Sequence, residues 1–276
     1  MIRDEDIPPF RTRGDISVVI PTFKNVQMLD KCLYSAITGQ QFVNEIIVVV
    51  DGKPDIPNHG KSIYSIMDEY SKYGVDFLEI ENNLGTCMAT NYGVYNSSYE
   101  KILIVNDDNI FPHDWDTITN YIPENSVLSV NQIEPIPSVF KQFVLKDFGR
   151  NADEFKYNEF VEYEKSIRVD KIENSGNTFP FFVNKKDFLR VGGFDANYPS
   201  MAGHVADWDF FLKCELSGLN MLRTYNRHFY HFVSATSSEE SKEHEVKCHQ
   251  YFKYKWGEFA NSDRETNSKM LKKYKQ

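Results

Sequence analysis

Runs of apolar residues alternate with segments of helical spacing along the first 110 residues of the chain. Four short runs rich in aliphatic and β-branched residues predict buried strands. These runs cover residues 16–20, 45–50, 77–80 and 102–105. The segments between them predict helices over residues 26–37, 63–70 and 87–94. Strands that alternate with helices in this way predict an α/β fold with a mainly parallel central sheet, covered by helices on both faces.

The second half of the chain is less regular. The stretch FPFFVNKKDFLRVGGFD predicts a strand, a short helix and a Gly-Gly turn. Residues 207–216 predict a helix that Gly218 ends, and residues 225–233 predict an extended segment that carries His228 and His231. Segment 139–173 mixes aromatic and charged residues and has only weak periodicity.

Length and charge narrow the class of protein. A chain of 276 residues suits one large domain, and we divide it into a flexible lead-in at 1–14, a main domain at 15–245 and a helical, basic tail at 246–276. Its net charge of −9 argues against binding of nucleic acid, which requires a basic face. The charge still allows one phosphorylated ligand to bind, because a bound metal can supply the missing positive charge.

The cysteines and the N-terminus bear on location. The four cysteines lie far apart and form no C-x-x-C pair, which predicts free thiols in a reducing compartment. The first residues are charged and lack the apolar stretch of a secretory signal, and no apolar run is long enough to cross a bilayer. We therefore expect a soluble cytoplasmic protein without an integral membrane segment.

Polar residues follow each predicted strand of the first half. In an open parallel sheet, ligands bind in the crevice beyond the carboxyl ends of the strands. The residues at those ends are Pro21-Thr22-Phe23, Asp51, Asn82-Asn83-Leu84-Gly85 and Asp107-Asp108. Three carboxylates in one crevice would repel each other, and a bound Mg²⁺ or Mn²⁺ would offset that repulsion. The alternative interpretation of each motif is structural, as a turn or a helix N-cap.

Several motifs, taken in their order along the chain, resemble one known family. They are ISVVIPTFKN, IIVVVDG, NNLGTCMATNYG, ILIVNDDN, VGGFD followed by ADWDFFLKCELSG, HFYHF and YFKYKWG. From about Asp15 to His231 the chain resembles the inverting family 2 glycosyltransferases with the GT-A fold, including the spore-coat and capsular polysaccharide type enzymes. This resemblance implies that residues 15–110 form a nucleotide-binding half and residues 111–245 an acceptor half.

The resemblance also implies an activity and a donor site. The activity is a metal-dependent transfer of a sugar from a nucleotide sugar, with UDP as the default nucleotide, to a hydroxyl of a glycan or glycoconjugate acceptor. Pro21 and Phe23 are implied to line the base pocket, and Asp51 to contact the uracil or the ribose. The stretch NNLGTCMATNYG supplies further donor-site positions, which are Asn83, Gly85 and Asn91.

The metal-binding motif departs from the family pattern. The usual first acid of the D-x-D motif aligns with Asn106, so that Asp107 and Asp108 remain as the acids. We assign Asp108 as the ligand of Mn²⁺ or Mg²⁺ and Asp107 as a contact to the ribose or to the metal's surroundings, although the two roles could be exchanged. His231 is the expected further metal ligand, and the alternative is a histidine that is merely packed among aromatic residues.

The catalytic motif departs in a similar way. The usual Glu-Asp pair is Ala206-Asp207 here, and the family uses the second acid as the catalytic base. Asp207 is therefore the expected base, which accepts the proton of the acceptor hydroxyl, and its alternative role is to cap the helix that it begins. Asp209 is the nearest competitor, and Trp208 could form a wall of the acceptor site or belong to the core.

Other functions and segments stay open at this point. A sugar nucleotidyltransferase would also use a metal and an α/β sheet, but its glycine-rich loop is missing from the PTFKN turn. A non-catalytic nucleotide- or carbohydrate-binding module could keep the fold without the chemistry. Segment 139–173 is interpreted as an acceptor-side insertion or as a solvated helix pair. The basic residues at 271–276 could contact an anionic acceptor or a membrane surface, or could be a frayed terminus.

Overall fold

The four predicted strands of the first half lie side by side and parallel in the computed structural model. The model describes residues 2–3, 7, 12–52, 62–138, 140–233 and 239–257, without the side chains of 119–121 and 239–242. The strands are β1 (Arg13–Thr22), β2 (Val43–Asp51), β3 (Val75–Ile80) and β4 (Lys101–Ile104). The helices between them are α1 (Val26–Gly39), α2 (Ile63–Tyr70) and α3 (Thr86–Asn96). Each element agrees with its prediction to within a few residues.

The second half adds more strands to the same sheet. They are β5 (Asn109–Ile110), β6 (Ser126–Glu134), β7 (Val144–Leu145), β8 (Ile172–Asn174), β9 (Phe181–Asn184) and β10 (Asn220–His231). The order is β3-β2-β1-β4-β9-β6-β10-β5, with β7 beside β6 and β8 beside β10. Strand β9 is antiparallel to both of its neighbours, whereas β6 and β10 are parallel to each other. The predicted α/β fold with a mainly parallel sheet is confirmed.

Helices of the second half complete the layers around the sheet. They are α4 (Tyr157–Ser166), α5 (Lys185–Arg190), α6 (Ala206–Leu216) and α7 (Glu239–Trp256). The predicted short helix, Gly-Gly turn and helix after β9 are therefore present as α5, a turn at Gly192 and Gly193 with positive φ, and α6.

Strand β1 is buried on both faces, as its continuous apolar sequence predicts. Val18 and Val19 are each fully buried and belong to the core clusters on opposite faces of the sheet. Helix α3 lies so close to the sheet that a Cβ atom on Gly93 would be 2.5 Å from Val19 Cγ1. Any larger residue at Gly93 would therefore push α3 away from the strands whose ends it accompanies.

Segment 139–173 packs against the sheet instead of forming a solvated helix pair. It contributes β7 and the single helix α4, and its aromatic residues surround Tyr230 of β10. Phe160 is fully buried there, with its ring centroid 5.8 Å from that of Tyr230. The buried Glu164 of α4 also accepts a hydrogen bond from His228 N at 3.0 Å. These contacts make α4 part of the core, so the interpretation as a solvated helix pair is wrong.

The predicted ends of the main domain fall within elements of the fold. Strand β1 begins at Arg13, inside the predicted lead-in, and Ile2 is buried in the core. Helix α7 runs across the predicted boundary between 245 and 246. The rest of the tail, including its basic residues 271–276, lies outside the described residues. Within the described ranges, no helix has both the length and the apolar character that crossing a membrane requires.

Candidate active site

A cleft of about 800 Å³ opens at the carboxyl ends of β1, β2 and β4. Most of the residues predicted to bind the donor or the metal line this cleft. They are Pro21, Phe23, Asp51, Asn83, Asp107, Asp108 and His231. The sheet brings the last of these to the others, because His231 of β10 pairs with Asn109 of β5, directly after the Asp107-Asp108 turn. The topology therefore gathers strand-end residues from both halves of the chain.

The turn after β1 forms one wall of the cleft. Lys24 has a φ of 58°, which reverses the chain before α1 begins at Val26. The reversal leaves Phe23 40% exposed, with Lys24 Nζ over one face of its ring, 4.7 Å from the ring centroid. An open aromatic face beside a cation is suited to stacking with a flat ring such as a nucleotide base.

Asp107 is held in place by the same turn. Thr22 Oγ1 donates to Asp107 Oδ2 at 2.6 Å, and Asn25 Nδ2 donates to Asp107 Oδ1 at 2.8 Å. Burial and the neighbouring charge of Asp108 raise the pKa of Asp107 to about 7, although these two hydrogen bonds act in the opposite direction. Both oxygens of Asp107 are thus engaged within the protein, which leaves Asp108 as the acid that faces a different partner.

That partner is His231. Its Nε2 lies 3.4 Å from Asp108 Oδ2, and its Nδ1 lies 2.9 Å from Glu134 Oε1 at the end of β6. Burial alone would lower the pKa of His231, but the charge of Asp108 and the hydrogen bonds to Asp108 and Glu134 raise it to about 10. His231 therefore lies between two carboxylates, those of Asp108 and Glu134, and contacts both of them.

The Asp108 and His231 pair could hold a divalent cation once the imidazole has lost its Nε2 proton, because only a neutral ring nitrogen ligates a metal. Ligand distances of about 2.1 Å place neighbouring ligand atoms roughly 3 Å apart, close to the separation of these two side chains. A carboxylate that holds the second ring nitrogen of a ligating histidine, as Glu134 does here, is the usual support of such a ligand. Among the described residues, no group of three or more His, Cys, Asp or Glu side chains forms a complete metal site. A cation here would need further ligands from a substrate or from water.

Asp51 and Gly85 stabilise the turn between β3 and α3. The two oxygens of Asp51 accept hydrogen bonds from Leu84 N at 2.8 Å and Gly85 N at 2.7 Å. Asn83 Oδ1 also accepts from Gly85 N. Gly85 has a φ of 88°, in the left-handed region that favours glycine. Asp51 therefore fixes the turn that presents Asn83 to the cleft, in addition to lining the cleft itself.

Asn91 has a different environment from the one that the motif implies. Its Nδ2 donates to Phe194 O, and its Oδ1 accepts from Phe194 N, both at 2.8 Å. A Cβ atom on Gly193 would lie 2.5 Å from Asn91 Oδ1. Asn91 thus joins α3 to the Gly-Gly turn, and neither Asn91 nor Gly85 is among the residues that line the cleft.

Asp207 lines a second, smaller cavity of about 270 Å³ that adjoins the cleft. The two cavities share Thr86, Asn106, Ala202 and His204. Asp207 is half-buried in the first turn of α6, and its Oδ1 accepts a hydrogen bond from Trp208 N. Burial raises the pKa of Asp207 to about 6. Within the described residues, no basic side chain forms an ion pair with this carboxylate.

Asp209, two residues further along α6, belongs to a buried polar network. Its Oδ1 lies 2.7 Å from Lys255 Nζ and accepts a hydrogen bond from Trp256 Nε1 at 2.7 Å. Lys213 Nζ lies 3.4 Å from its other oxygen. Lys255 also pairs with Asp195, which follows the Gly-Gly turn, at 2.6 Å. Asp209 is fully buried and ties α6 to α7, so the geometry does not support it as the competing base.

Comparisons with known proteins decide the family. The protein-family model described as Glycosyl transferase family 2 matches residues 17–192 of the chain. The chain belongs to glycosyl transferase family 2. It is also 24% identical over 204 residues to the uncharacterized glycosyltransferase YwdF of Bacillus subtilis (strain 168), which covers 72% of this chain and 67% of YwdF. The family predicted from the sequence is confirmed.

Solved structures share the fold of this family 2 member. The crystal structure of S. aureus TarS matches with a TM-score of 0.63 at 16% identity over 92% of this chain, which spans 41% of the TarS chain. The mannosyltransferase PcManGT from Pyrobaculum calidifontis, in complex with GDP-Man and Mn²⁺, matches with a TM-score of 0.59 at 14% identity, over 96% of this chain and 70% of PcManGT. TarS 1–349 in complex with UDP-GlcNAc has a TM-score of 0.58. These likenesses confirm the predicted GT-A fold.

Some residues in and around the two cavities, or the contacts that they make, are absent from the sequence-based prediction. Glu134 could have been found by the rule of polar strand ends, had the pattern VLSVNQIE been interpreted as strand β6. The strand-end rule finds Thr22 but not Asn25, and nothing in the sequence shows that these two residues hold Asp107. His204 carries no motif signal, because only the packing of its loop brings it between the two cavities.

Proposed function

We propose that this family 2 protein transfers a sugar from a nucleotide sugar, with a UDP-sugar favoured, to a hydroxyl group of a glycan or glycoconjugate acceptor, with inversion at the anomeric carbon. One observation carries the proposal. An acidic cleft that contains the Asp108 and His231 pair adjoins a second cavity that contains the uncompensated carboxylate of Asp207. A donor site and an acceptor site with its own base are the two parts that such a transfer requires.

The larger cavity suits the nucleotide part of the donor. The exposed face of Phe23 offers a stacking surface for the base, and Asn83 and Asp51 offer polar groups from the neighbouring strand ends. Thr22 and Asn25 of the β1–α1 turn hold Asp107 at the cleft, and we assign it as a contact to the ribose or to a group that surrounds the metal. The complexes of TarS 1–349 with UDP-GlcNAc and of PcManGT with GDP-Man support a nucleotide sugar as the donor class.

We assign Asp108 and His231 as the protein ligands of a Mn²⁺ or Mg²⁺ ion, with Glu134 as the residue that orients His231. When bound, the ion neutralises negative charge on the diphosphate of the donor. The Mn²⁺ in the PcManGT structure supports this choice of metal. The cleft itself is acidic, so a diphosphate would meet Asp107 and Asp108 at close range without such compensation.

The chemical step is a single displacement. The acceptor oxygen forms a bond to the anomeric carbon, the bond from that carbon to the diphosphate oxygen breaks, and the nucleoside diphosphate leaves with the electron pair. Asp207 takes the proton of the acceptor hydroxyl during the attack. Because the attack comes from the face opposite the leaving group, the configuration inverts.

The environment of Asp207 suits a general base. A pKa of about 6 leaves the carboxylate charged near neutral pH and makes it a stronger base than an ordinary aspartate. No cation within the described structure competes for it. Asp207 thus stays available to an acceptor hydroxyl in the smaller cavity.

Calorimetric titration tests the donor site. UDP, GDP and dTDP are each titrated into the protein with Mn²⁺ and again with EDTA. We expect one nucleotide to bind only with the metal, and Asp108→Ala to abolish that binding, while Asp68→Ala, which removes an exposed carboxylate from α2, leaves it unchanged. If no nucleotide binds in the presence of Mn²⁺, the donor-site assignment is wrong, and a module without catalysis becomes the better interpretation.

A further inference from the structure

The segment between the Gly-Gly turn and α6 is packed tightly against the start of α3. Thr86 N donates to Met201 O at 2.8 Å. A Cβ atom on Gly203 would lie 2.4 Å from Thr86 Cγ2, and one on Gly85 would lie 3.1 Å from Met201 Cα. The segment 200–205 therefore has a fixed position beside the donor cleft, and a larger residue at Gly203 would move it.

The backbone of this segment is strained where it enters α6. Val205 has a φ of 65°, in the left-handed region that β-branched residues rarely adopt. Residues in such conformations persist where the surroundings over-determine them, and they cluster at ligand-binding sites. The strain falls next to His204 and two residues before Asp207, so it is located at the boundary of the two cavities.

His204 lines both cavities, and one of its ring nitrogens has no partner within the described residues. Its Nδ1 lies 3.1 Å from Ser200 Oγ, which fixes the ring and leaves Nε2 available. The two cavities are also lined by the carboxylates of Asp51, Asp107, Asp108 and Asp207, which can only accept hydrogen bonds when charged, and by the cationic side chain of Lys24 and the ring of His231. An imidazole can donate or accept according to its tautomer, and sugar hydroxyls can do both.

The sugar of the donor has to lie at this boundary. Its nucleotide occupies the larger cavity in the proposed function, and its anomeric carbon must come within reach of an acceptor hydroxyl held by Asp207 in the smaller one. The residues common to both cavities are therefore the ones that a transferred sugar would meet. Ala202 offers no polar side-chain atom there, whereas Thr86, Asn106 and His204 do. Of these three, His204 offers a ring nitrogen that is already oriented by a hydrogen bond between its other nitrogen and Ser200.

We propose that His204 is a donor-sugar contact, whose Nε2 forms a hydrogen bond to a hydroxyl or amide group of the transferred sugar and so contributes to the choice of sugar. The proposal rests on the proposed function, since it assumes that the nucleotide binds in the larger cavity. It assigns His204 to the sugar and not to the diphosphate. Binding measurements can distinguish a contact to the sugar from a contact to the diphosphate, because UDP has the diphosphate but lacks the sugar.

Binding of UDP and of UDP-sugars tests the assignment. UDP, UDP-glucose, UDP-galactose and UDP-N-acetylglucosamine are titrated with Mn²⁺ into the wild type and into His204→Ala and His204→Gln. For the UDP-sugar that binds best, we expect His204→Ala to weaken binding about five- to tenfold, as expected for the loss of one hydrogen bond. His204→Gln should recover most of the affinity, and UDP alone should change less than about twofold. His244→Ala, on α7 and outside both cavities, is the matched control and should change neither affinity.

Other outcomes overturn the inference in distinguishable ways. Equal weakening of UDP and of the UDP-sugar in His204→Ala would assign His204 to the diphosphate. Unchanged affinity for both would remove His204 from the donor site. If the wild type binds neither UDP nor any of the UDP-sugars in the presence of Mn²⁺, the donor-site assignment fails first, and the contact of His204 fails with it.

Discussion

The first turn of helix α6 contains two aspartates that are two residues apart, Asp207 and Asp209. They lie on different sides of the helix and differ in burial and in ion pairing. On the core side, Asp209 is fully buried and is surrounded by Lys255, Trp256 and Lys213. On the cavity side, Asp207 is half-buried and accepts a hydrogen bond from the backbone of the next residue. One carboxylate is therefore neutralised by the protein, and the other keeps its basicity.

The difference shows how one sequence motif combines two roles. A buried charge is stable only when it is paired, so the network around Asp209 is the expected solution for a residue that joins α6 to α7. A catalytic base must instead remain unpaired until the substrate arrives, and Asp207, the base that we propose, has a pKa raised by burial and no ion pair within the described residues. The predictions below separate these roles.

The largest effect is expected for Asp207→Asn. The amide has the shape of the carboxylate but cannot accept a proton, so release of UDP from the UDP-sugar turned over fastest should fall by about 10² to 10⁴-fold. Calorimetric affinity for UDP with Mn²⁺ should stay within about twofold, because Asp207 does not line the donor cleft. A variant that keeps more than a tenth of the wild-type rate would assign the base to another group.

Removal of Lys255 should cost stability instead of nucleotide binding. Lys255→Met leaves the buried Asp209 and Asp195 without their shared cation, and we expect the free energy of unfolding to fall by about 3 kcal/mol in urea denaturation. Lys253→Met makes the same substitution at an exposed position of α7 and should alter the free energy of unfolding by less than about 0.5 kcal/mol. Equal stabilities of the two variants would show that the network does not hold α7 in place.

The pH dependence of turnover should follow the ionisation of Asp207. The base acts only when it is deprotonated, so the rate at saturating Mn²⁺ and donor should be constant above pH 7 and fall below a pKa of about 6, by tenfold for each further pH unit. The measurement is UDP release between pH 5 and 8, with circular dichroism to exclude unfolding. A rate that does not change over this range would show that the rate-limiting step does not depend on the ionisation of Asp207.

The first half of the fold follows closely from sequence, because its strands are continuous apolar runs and the residues that line the cleft stand at their ends. Thr22, Asp51 and Asp107 are all found by that single rule, which needs no knowledge of the tertiary structure. The second half follows less well, since β6 is buried along its whole length yet contains polar residues such as Asn131 and Gln132. Its pattern resembles neither an apolar run nor a simple alternation.

Roles that depend on packing could not be obtained in this way. Nothing in the motif NNLGTCMATNYG indicates that Asn91 bonds the backbone of Phe194, more than 100 residues away. The position of His204 between the cavities depends on a strained turn at Val205, which sequence patterns do not show. The different positions of Asp207 in the cavity and Asp209 in the core likewise become evident only from the contacts that α7 makes with Asp209. The sequence of the tail does not predict that α7 packs there.

Asp207→Asn and Asp209→Asn, prepared side by side, test this division of roles most directly. For each variant, the free energy of unfolding in urea and the rate of UDP release from the same UDP-sugar are measured at pH 7.5. We expect Asp207→Asn to lose nearly all turnover while its free energy of unfolding does not fall, and Asp209→Asn to lose about 2 kcal/mol of stability while the fraction that stays folded keeps most of its turnover. If Asp209→Asn abolishes turnover in a fully folded protein while Asp207→Asn remains active, the cavity side and the core side of α6 have been assigned the wrong way round.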